Sequence, residues 1–130
     1  MPKVSVILPT YNGEKYIREA IDSIINQTFT DWELIVVNDC STDSTITIIN
    51  EYERKDSRIK VINNPYNQKL PKSLNIGFSS AEGEYLTWTS DDNIFLPSAL
   101  DEMNSFLDQN PNKIMVRARY TIIDENGNYL

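Results

Sequence analysis

Apolar runs that suit buried strands alternate along the chain with apolar residues at helical spacing. Residues 4–8 form the first such run, and six apolar positions between residues 16 and 25 then recur with the period of a helix. Continuous apolar strands are typical of a parallel sheet that is covered on both faces. Strand signals lie at 4–8, 33–37, 58–62 and 85–89, and apolar residues at helical spacing follow each of them.

Helix-start signals agree with this alternation. Ser41-Thr42-Asp43 offers an N-cap with an acid in the first turn, and we assign Asp43 this structural role because the helix dipole explains it. Pro71 and Pro97 suit the beginnings of two later helices. Right-handed crossovers between parallel strands then place helices on both faces of the sheet. The predicted fold class is α/β, a Rossmann-like unit with a mostly parallel sheet.

The end of the chain has a different pattern. Residues 113–123 are β-like, and Glu125-Asn126-Gly127-Asn128 is a hairpin turn signal because Asn-Gly accepts positive φ angles. Only two residues follow that turn, which is too few for a returning strand to pair well. We expect residues 1–130 to form a single domain that stops partway through a larger one.

Composition excludes several classes of protein. The chain has 130 residues, a formal net charge of −7, one cysteine and no histidine. It therefore contains no internal disulfide, and an acidic chain without a basic patch is a poor partner for a nucleic-acid backbone. No apolar run reaches the roughly 20 residues of a membrane span. We expect a cytoplasmic protein.

Polar residues follow three of the predicted strands. They are Pro9-Thr10-Tyr11-Asn12, Asn38-Asp39 and Ser90-Asp91-Asp92. Because parallel strands end at the same edge of a sheet, these residues should open onto one crevice, where open α/β sheets bind ligands. The chain has neither a G-x-G-x-x-G turn nor a G-x-x-x-x-G-K-[ST] loop, so phosphate must be held in another way.

Asp91 and Asp92 suggest that a metal holds the phosphate. Mg²⁺ and Mn²⁺ favour one or two carboxylates together with phosphate oxygens and water. A phosphate oxygen about 4 Å from a carboxylate costs on the order of 4 kcal/mol at an effective dielectric near 20, whereas a divalent ion between them attracts both. The alternative is that Asp91, Asp92 and Asn93 only form a turn before a helix.

Other candidates have two interpretations each. Asp39 suits a ribose hydroxyl or a base N–H, or it acts as a cap or turn residue. Tyr11 could stack on a base or simply cover the sheet edge. Lys69 and Lys72 could meet phosphate, although isolated lysines on a helix are usually solvated. Trp32 and Trp88 are interpreted as core residues.

Four segments in series resemble the N-terminal half of family 2 inverting glycosyltransferases, which have the GT-A fold. They are VSVILPTYN, ELIVVNDCSTDST, LPKSLNIGFSSAEGEYL and TWTSDDN, and the resemblance spans almost the whole chain. It implies a three-layer GT-A sandwich and a nucleotide-sugar donor, usually a uridine diphosphate (UDP) sugar. The implied metal ligands are Asp91 and Asp92, for Mn²⁺ or Mg²⁺, and the implied nucleotide-binding residues are Pro9, Thr10, Tyr11, Asp39, Lys72, Ser90 and Asp91.

Three residues depart from the family pattern. Asn38 stands where many members have Asp, Cys40 where many have Gly, and Thr89 where the first Asp of the metal motif is common. The first two look tolerable in a loop. Thr89 leaves Asp91 and Asp92 to supply the protein ligands of the metal together.

The mechanism implied by the resemblance is a single displacement with inversion at the anomeric carbon. The partner is a saccharide or lipid-linked acceptor, and peripheral attachment to the inner face of the membrane is compatible with it. The catalytic base of this family lies in the later half, and Asp124 and Glu125 beside a hairpin turn are poor candidates. We therefore expect a donor-binding half with little or no activity alone.

Three other classes of function remain open. A purely structural α/β domain would show no metal-dependent nucleotide binding. A non-catalytic nucleotide-sugar-binding module would keep Asp39 and the aspartate pair but lack a base. A phosphoacceptor signalling domain would need an acid pair at the end of its first strand, where Thr10, Tyr11 and Asn12 stand.

Overall fold

The computed structural model describes residues 1–130, in which four strands and four helices alternate. The elements are β1 (Val4–Thr10), α1 (Ile17–Ile25), β2 (Trp32–Asn38), α2 (Thr45–Lys55), β3 (Ile59–Asn63), α3 (Lys69–Ser79), β4 (Tyr85–Trp88) and α4 (Ala99–Gln109). The strands form one parallel sheet in the order β3-β2-β1-β4. The predicted α/β alternation is confirmed.

Strand β1 lies in the middle of the sheet and determines which residues meet at its edge. In the pairing register Thr10 lies beside Asn38, and Ile7 lies beside Trp88. Strands β1 and β2 therefore end at the same height in the sheet. Strand β4 ends opposite Ile7, three residues before the end of β1, and the residues after Trp88 continue towards Thr10. The loops after β1, β2 and β4 emerge together.

The two faces of the sheet are covered unequally. Helices α1, α2 and α4 pack on one face through a cluster of fourteen buried apolar residues that includes Ile21, Ile49 and Leu100. Helix α3 covers the other face, where Ile7, Ile35 and Val37 form a smaller cluster. Layers of helices on both sides of the sheet confirm the three-layer architecture.

The returning chain beyond α4 does not form the predicted strand. Residues 113–123 contain no regular element, and the prediction of a strand there is wrong. Ile114 is 99% exposed, so this segment has neither a neighbouring strand nor a surface to bury its apolar residues against. The hairpin turn is present: Ile123 and Tyr129 form one antiparallel bridge, and Gly127 has a φ of 84°.

Two further observations complete the description of the fold. Trp32 is buried in the main core as predicted, whereas Trp88 on the edge strand β4 is 44% exposed and is not a core residue. None of the four helices is long and apolar enough to cross a membrane.

Candidate functional site

Direct hydrogen bonds connect the ends of β1, β2 and β4. The N–H of Asp39 donates to the carbonyl oxygen of Thr10 over 2.8 Å. The hydroxyl of Thr10 donates to Oδ2 of Asp91 over 2.6 Å. Thr10 therefore stands between the two acidic residues, as their predicted convergence at one edge of the sheet requires.

Asp91 is partly buried behind the loop that follows β1. Burial raises the pKa of its carboxyl; the Thr10 hydroxyl opposes that shift, and the neighbouring charge of Asp92 adds to it. The site also involves Gly13, where an added Cβ would collide with the carboxylate of Asp91 and lie 2.6 Å from Oγ1 of Thr10. Sequence reasoning missed Gly13, because only the folded chain shows that Asp91 occupies this space.

Asp92 has different surroundings from its neighbour. It is exposed and contributes to a cleft of about 230 Å³ between the start of α1 and the terminal hairpin. Glu19, Asp124 and Glu125 line the same cleft. Asp91 therefore packs against β1 whereas Asp92 lines the open cleft, and joint binding of one cation by the two carboxylates stays a prediction.

The acidic turn fits a metal ion that arrives with its ligand. Asp91 and Asp92 supply hard oxygen donors, and Mg²⁺ or Mn²⁺ is commonly held by one or two carboxylates plus phosphate and water. No group of three or more His, Cys, Asp or Glu side chains in the chain could hold a metal ion. The residues suit a cation bound to a diphosphate better than a bare ion in a protein cage.

Asp39 is buried and anchors the loop before α3. Its Oδ1 accepts hydrogen bonds from Nδ2 of Asn64 (2.8 Å) and from the N–H of Gln68 (2.7 Å), and its Oδ2 accepts one from the N–H of Lys69 (2.9 Å). Burial alone would raise the pKa of this carboxyl, but these donors lower it below its ordinary value of 3.8. The carboxylate is thus held ionised in one orientation.

These contacts agree with the prediction that Asp39 acts as a cap or turn residue, but they lie in a different loop from the predicted one. Asp39 accepts hydrogen bonds from the amide groups at the start of α3, which have no partners within the helix. Direct contact between Asp39 and a base or ribose stays a prediction.

Three residues other than glycine have left-handed backbones, and each follows a strand at this edge. They are Asn12 (φ 51°) after β1, Cys40 (φ 64°) after β2 and Lys69 (φ 69°) after β3. The φ of Cys40 gives a physical reason for the glycine that many family members have there. Strained residues persist where their surroundings fix them, and such residues cluster at ligand sites.

Hydrogen bonds between loops hold this strained edge. The side-chain oxygen of Asn12 accepts from the N–H of Thr42 (2.8 Å), and the N–H of Gly13 donates to Oγ1 of Thr45 (2.9 Å). Asp43 accepts from the N–H of Thr45 (2.9 Å) just before α2. The predicted N-cap at Ser41-Thr42-Asp43 with an acid in the first turn is wrong, because the N-cap residue is Ser44 and the first turn of α2 contains no acid. The loops after β1 and β2 are therefore held together by hydrogen bonds in one fixed arrangement.

Replacing Lys69 by glycine should stabilise the chain by about 0.5 kcal/mol. A left-handed residue with a Cβ costs on the order of 1–2 kcal/mol, which exceeds the extra entropy that glycine loses on folding. Urea denaturation measures the change. Lys72→Gly is the matched control, because Lys72 lies in the first turn of α3 without a left-handed backbone, and this change should destabilise the chain by roughly 0.5–1 kcal/mol. An equal loss of unfolding free energy in both variants would contradict the strain at Lys69.

The remaining predicted residues are placed as follows. Tyr11 is 51% exposed beside Thr10, which leaves its ring available for stacking. Pro9 is buried within β1, and Ser90 is the second residue after the end of β4. Lys72 is exposed in the first turn of α3 and forms no ion pair within the chain. The structure brings Thr10, Tyr11, Asp39 and Asp91 together, but shows no contact between Lys72 and any of them.

The two acids near the hairpin are engaged in other contacts. The carboxylate of Asp124 accepts from the N–H groups of Asn126 and Asn128 and from the Asn128 amide, and these bonds lower its pKa. Glu125 forms an ion pair with Lys15 at 3.3 Å. The lowered pKa of Asp124 does not suit a general base, which should be poised near neutral pH, and the Glu125 carboxylate is engaged by Lys15.

The sequence of this chain is similar to those of curated glycosyltransferases. A glycosyltransferase of Haemophilus influenzae, itself uncharacterized, is 45% identical over 109 residues, which are 84% of this chain and 34% of the relative. An uncharacterized glycosyltransferase of Methanocaldococcus jannaschii is 38% identical over 131 residues, covering 99% of this chain and 45% of the relative. The chain thus spans a third to a half of these curated relatives.

Solved structures share the fold. Staphylococcus aureus TarS in complex with UDP superposes with a TM-score of 0.77 at 38% identity, over 82% of this chain and 32% of TarS. The mannosyltransferase PcManGT of Pyrobaculum calidifontis, in complex with GDP-Man and Mn²⁺, gives a TM-score of 0.68 at 28% identity, over 72% and 28% of the two chains. The family model described as "Glycosyl transferase family 2" matches residues 5–130, and with this coverage the chain belongs to glycosyl transferase family 2 and has the GT-A fold.

Proposed function

We propose that this chain forms the donor site of a glycosyltransferase that moves a sugar from a UDP-sugar to an acceptor hydroxyl with inversion, with the help of Mn²⁺ or Mg²⁺. The observation that carries the proposal is the linked set of Asp39, Thr10 and Asp91 at the carboxyl edge of the sheet. Open α/β sheets bind ligands at this edge, and the set combines a metal-binding carboxylate with a fixed acceptor for a base or ribose.

The solved relatives support the choice of donor. TarS was crystallised with UDP and with UDP-GlcNAc, and PcManGT with GDP-Man and Mn²⁺. TarS is the more similar of the two, at 38% against 28% identity. We therefore assign a uridine nucleotide to this chain, with a saccharide or lipid-linked hydroxyl as the acceptor.

Each residue of the site has a proposed task. Asp91 and Asp92 hold the cation, which when bound offsets the charge that develops on the departing diphosphate. Asp39 accepts a hydrogen bond from the base, while Pro9, Thr10 and Tyr11 border the base and Ser90 lies beside the ribose. Lys72 lies close enough in sequence to the Asp39-anchored turn to approach the phosphates once a donor is bound.

The catalytic base is proposed to lie outside these 130 residues. The hairpin contacts of Asp124 and the ion pair of Glu125 leave no free carboxylate at the hairpin side of the cleft. The same observation favours a second candidate function, a nucleotide-sugar-binding module without transferase activity.

Titration calorimetry of UDP with and without Mn²⁺ tests the donor site. We expect binding that depends on Mn²⁺, because the acidic turn repels a bare diphosphate. Binding of equal strength with and without the metal would contradict the metal role. Transfer of sugar by this chain alone would contradict the placement of the base.

A further inference from the structure

The hydroxyl of Thr10 is engaged by Asp91. It donates to Oδ2 over 2.6 Å, a length typical of strong hydrogen bonds to a charged oxygen. A threonine has one O–H group, so this proton is not free for a nucleotide. Thr10 is also only 3% exposed, which leaves a ligand little of its side chain to contact. A contribution of this hydroxyl to ligand binding therefore has to act through Asp91.

The loop after β1 holds the Asp91 carboxylate through more than one contact. The backbone N–H groups of Tyr11 and of Asp91 itself also donate to this carboxylate. Gly13 leaves space for it, because an added Cβ there would collide with the carboxylate. Asp91 is nevertheless partly exposed, so these contacts orient the carboxylate without enclosing the residue.

The orientation of Asp91 matters because few carboxylates are available for a cation at this edge. Thr89 stands where a further acid is common in the family, and no group of three or more His, Cys, Asp or Glu side chains could hold a metal ion. Neighbouring groups that hydrogen-bond to metal ligands orient them, and losing such a group typically costs roughly 10–100-fold in metal affinity. With so few protein ligands, the loss of one orienting hydrogen bond should be measurable.

We infer that Thr10 is a positioning residue for the cation of the donor site, because its hydroxyl fixes the Asp91 carboxylate in the orientation that binds the metal. Thr10 acts through Asp91 and does not itself contact the metal. This role adds to the place beside the base that the proposed function gives Thr10. The inference rests on the proposed function, since it needs Asp91 to be a metal ligand.

The test compares the Kd of UDP in the presence of Mn²⁺ between variants. Thr10→Val keeps the branched shape of the side chain but loses the hydroxyl, so UDP should bind about tenfold more weakly. Thr10→Ser keeps the hydroxyl and should restore most of that affinity. Thr28→Val is the matched control, because Thr28 is an exposed threonine between α1 and β2, and it should leave the binding of UDP unchanged.

Uridine distinguishes the positioning role from a structural one. It lacks the diphosphate, so its binding measures the base site without the metal. Thr10→Val should leave the Kd of uridine unchanged in an NMR titration. A residue that only supports the loop, or that acts only by contacting the base, would weaken uridine and UDP by the same factor.

Gly13→Ala is the second variant, because its added methyl group displaces the Asp91 carboxylate while the Thr10 hydroxyl is kept. It should also weaken the binding of UDP with Mn²⁺, and it decides the question if Thr10→Val does not fold. The inference is overturned if the variant that folds binds UDP as tightly as the unaltered chain, if Thr10→Ser binds UDP as weakly as Thr10→Val, or if uridine and UDP lose affinity equally. Binding of UDP by the unaltered chain that does not depend on Mn²⁺ is a different result, since it contradicts the proposed metal role and removes this inference along with it.

Discussion

Replacing Asp91 by asparagine should weaken the binding of UDP in the presence of Mn²⁺ by about 100-fold or more. A neutral amide keeps the shape of the side chain but loses the charge that attracts a divalent ion. At an effective dielectric near 20 the interaction of two unit charges about 4 Å apart is worth roughly 4 kcal/mol, and every 1.4 kcal/mol is a factor of ten. Calorimetric titration with UDP and Mn²⁺ measures the loss.

The same substitution should not lower the stability of the fold. Burial raises the pKa of Asp91 in the folded chain above its ordinary value of 3.8, so the ionised carboxylate is less favourable folded than unfolded. This unfavourable contribution is present at neutral pH and disappears as the pH falls through the folded pKa. The thermal midpoint of Asp91→Asn at pH 7 should therefore equal or exceed that of the unaltered chain.

Asp101→Asn is the matched control, since Asp101 is exposed in the first turn of α4, away from the linked strand ends. It should leave the binding of UDP unchanged. Unaltered affinity in Asp91→Asn would contradict the metal role of Asp91, and a large fall in its thermal midpoint would contradict the interpretation of its pKa. Loss of binding without loss of stability is the pattern expected of a functional residue.

The sequence pattern predicts the sheet well because its strands are buried on both faces. Seven consecutive residues of β1 and seven of β2 are buried, which explains their continuous apolar runs. The apolar pattern gives wrong predictions where the apolar residues are exposed in the folded chain. Strand β4 alternates half-buried and exposed residues, so Trp88 looks like core in the sequence but lies on an open edge. Residues 113–123 have strand-like composition without a neighbouring strand.

The candidate site is predictable in part for a similar reason. Parallel strands share an edge, so the meeting of Thr10 with Asp39 and Asp91 follows from topology. The partners of Asp39 do not follow, because Asn64, Gln68 and Lys69 come 25 to 30 residues later in the chain. No local pattern marks them. Hydrogen bonds between distant loops depend on how α3 packs, and this appears only in the folded chain.

The left-handed residues and the buried carboxylate act together. Lys69 has a φ of 69°, and its N–H donates to Oδ2 of Asp39. A charge-assisted hydrogen bond is roughly twice as strong as a neutral one, so Asp39 can hold a backbone conformation that the residue would otherwise avoid. The left-handed backbone of Lys69 therefore depends on the Asp39 carboxylate.

Replacing Asp39 by asparagine should destabilise the fold by about 2–4 kcal/mol at pH 7. The amide retains one acceptor oxygen, but its NH₂ group then faces one of the N–H donors that the carboxylate satisfies. Hydrogen bonds to a charged group contribute about 1.5–3 kcal/mol, and a buried donor without a partner adds its own penalty. Urea denaturation of the variant and the unaltered chain measures the difference.

The pH dependence of this loss of stability shows whether it comes from the charge of the Asp39 carboxylate or from the packing of its side chain. The pKa of Asp39 is lowered on folding, so its stabilising contribution is complete above its ordinary pKa of 3.8 and is lost as the pH falls through the folded pKa. The difference between Asp39→Asn and the unaltered chain should shrink accordingly at the lowest pH values where both fold. Asp31→Asn, at an exposed aspartate without a side-chain partner, should show little loss at any pH. A penalty for Asp39→Asn that does not change with pH would mean that packing, and not the charge of the carboxylate, holds the first turn of α3.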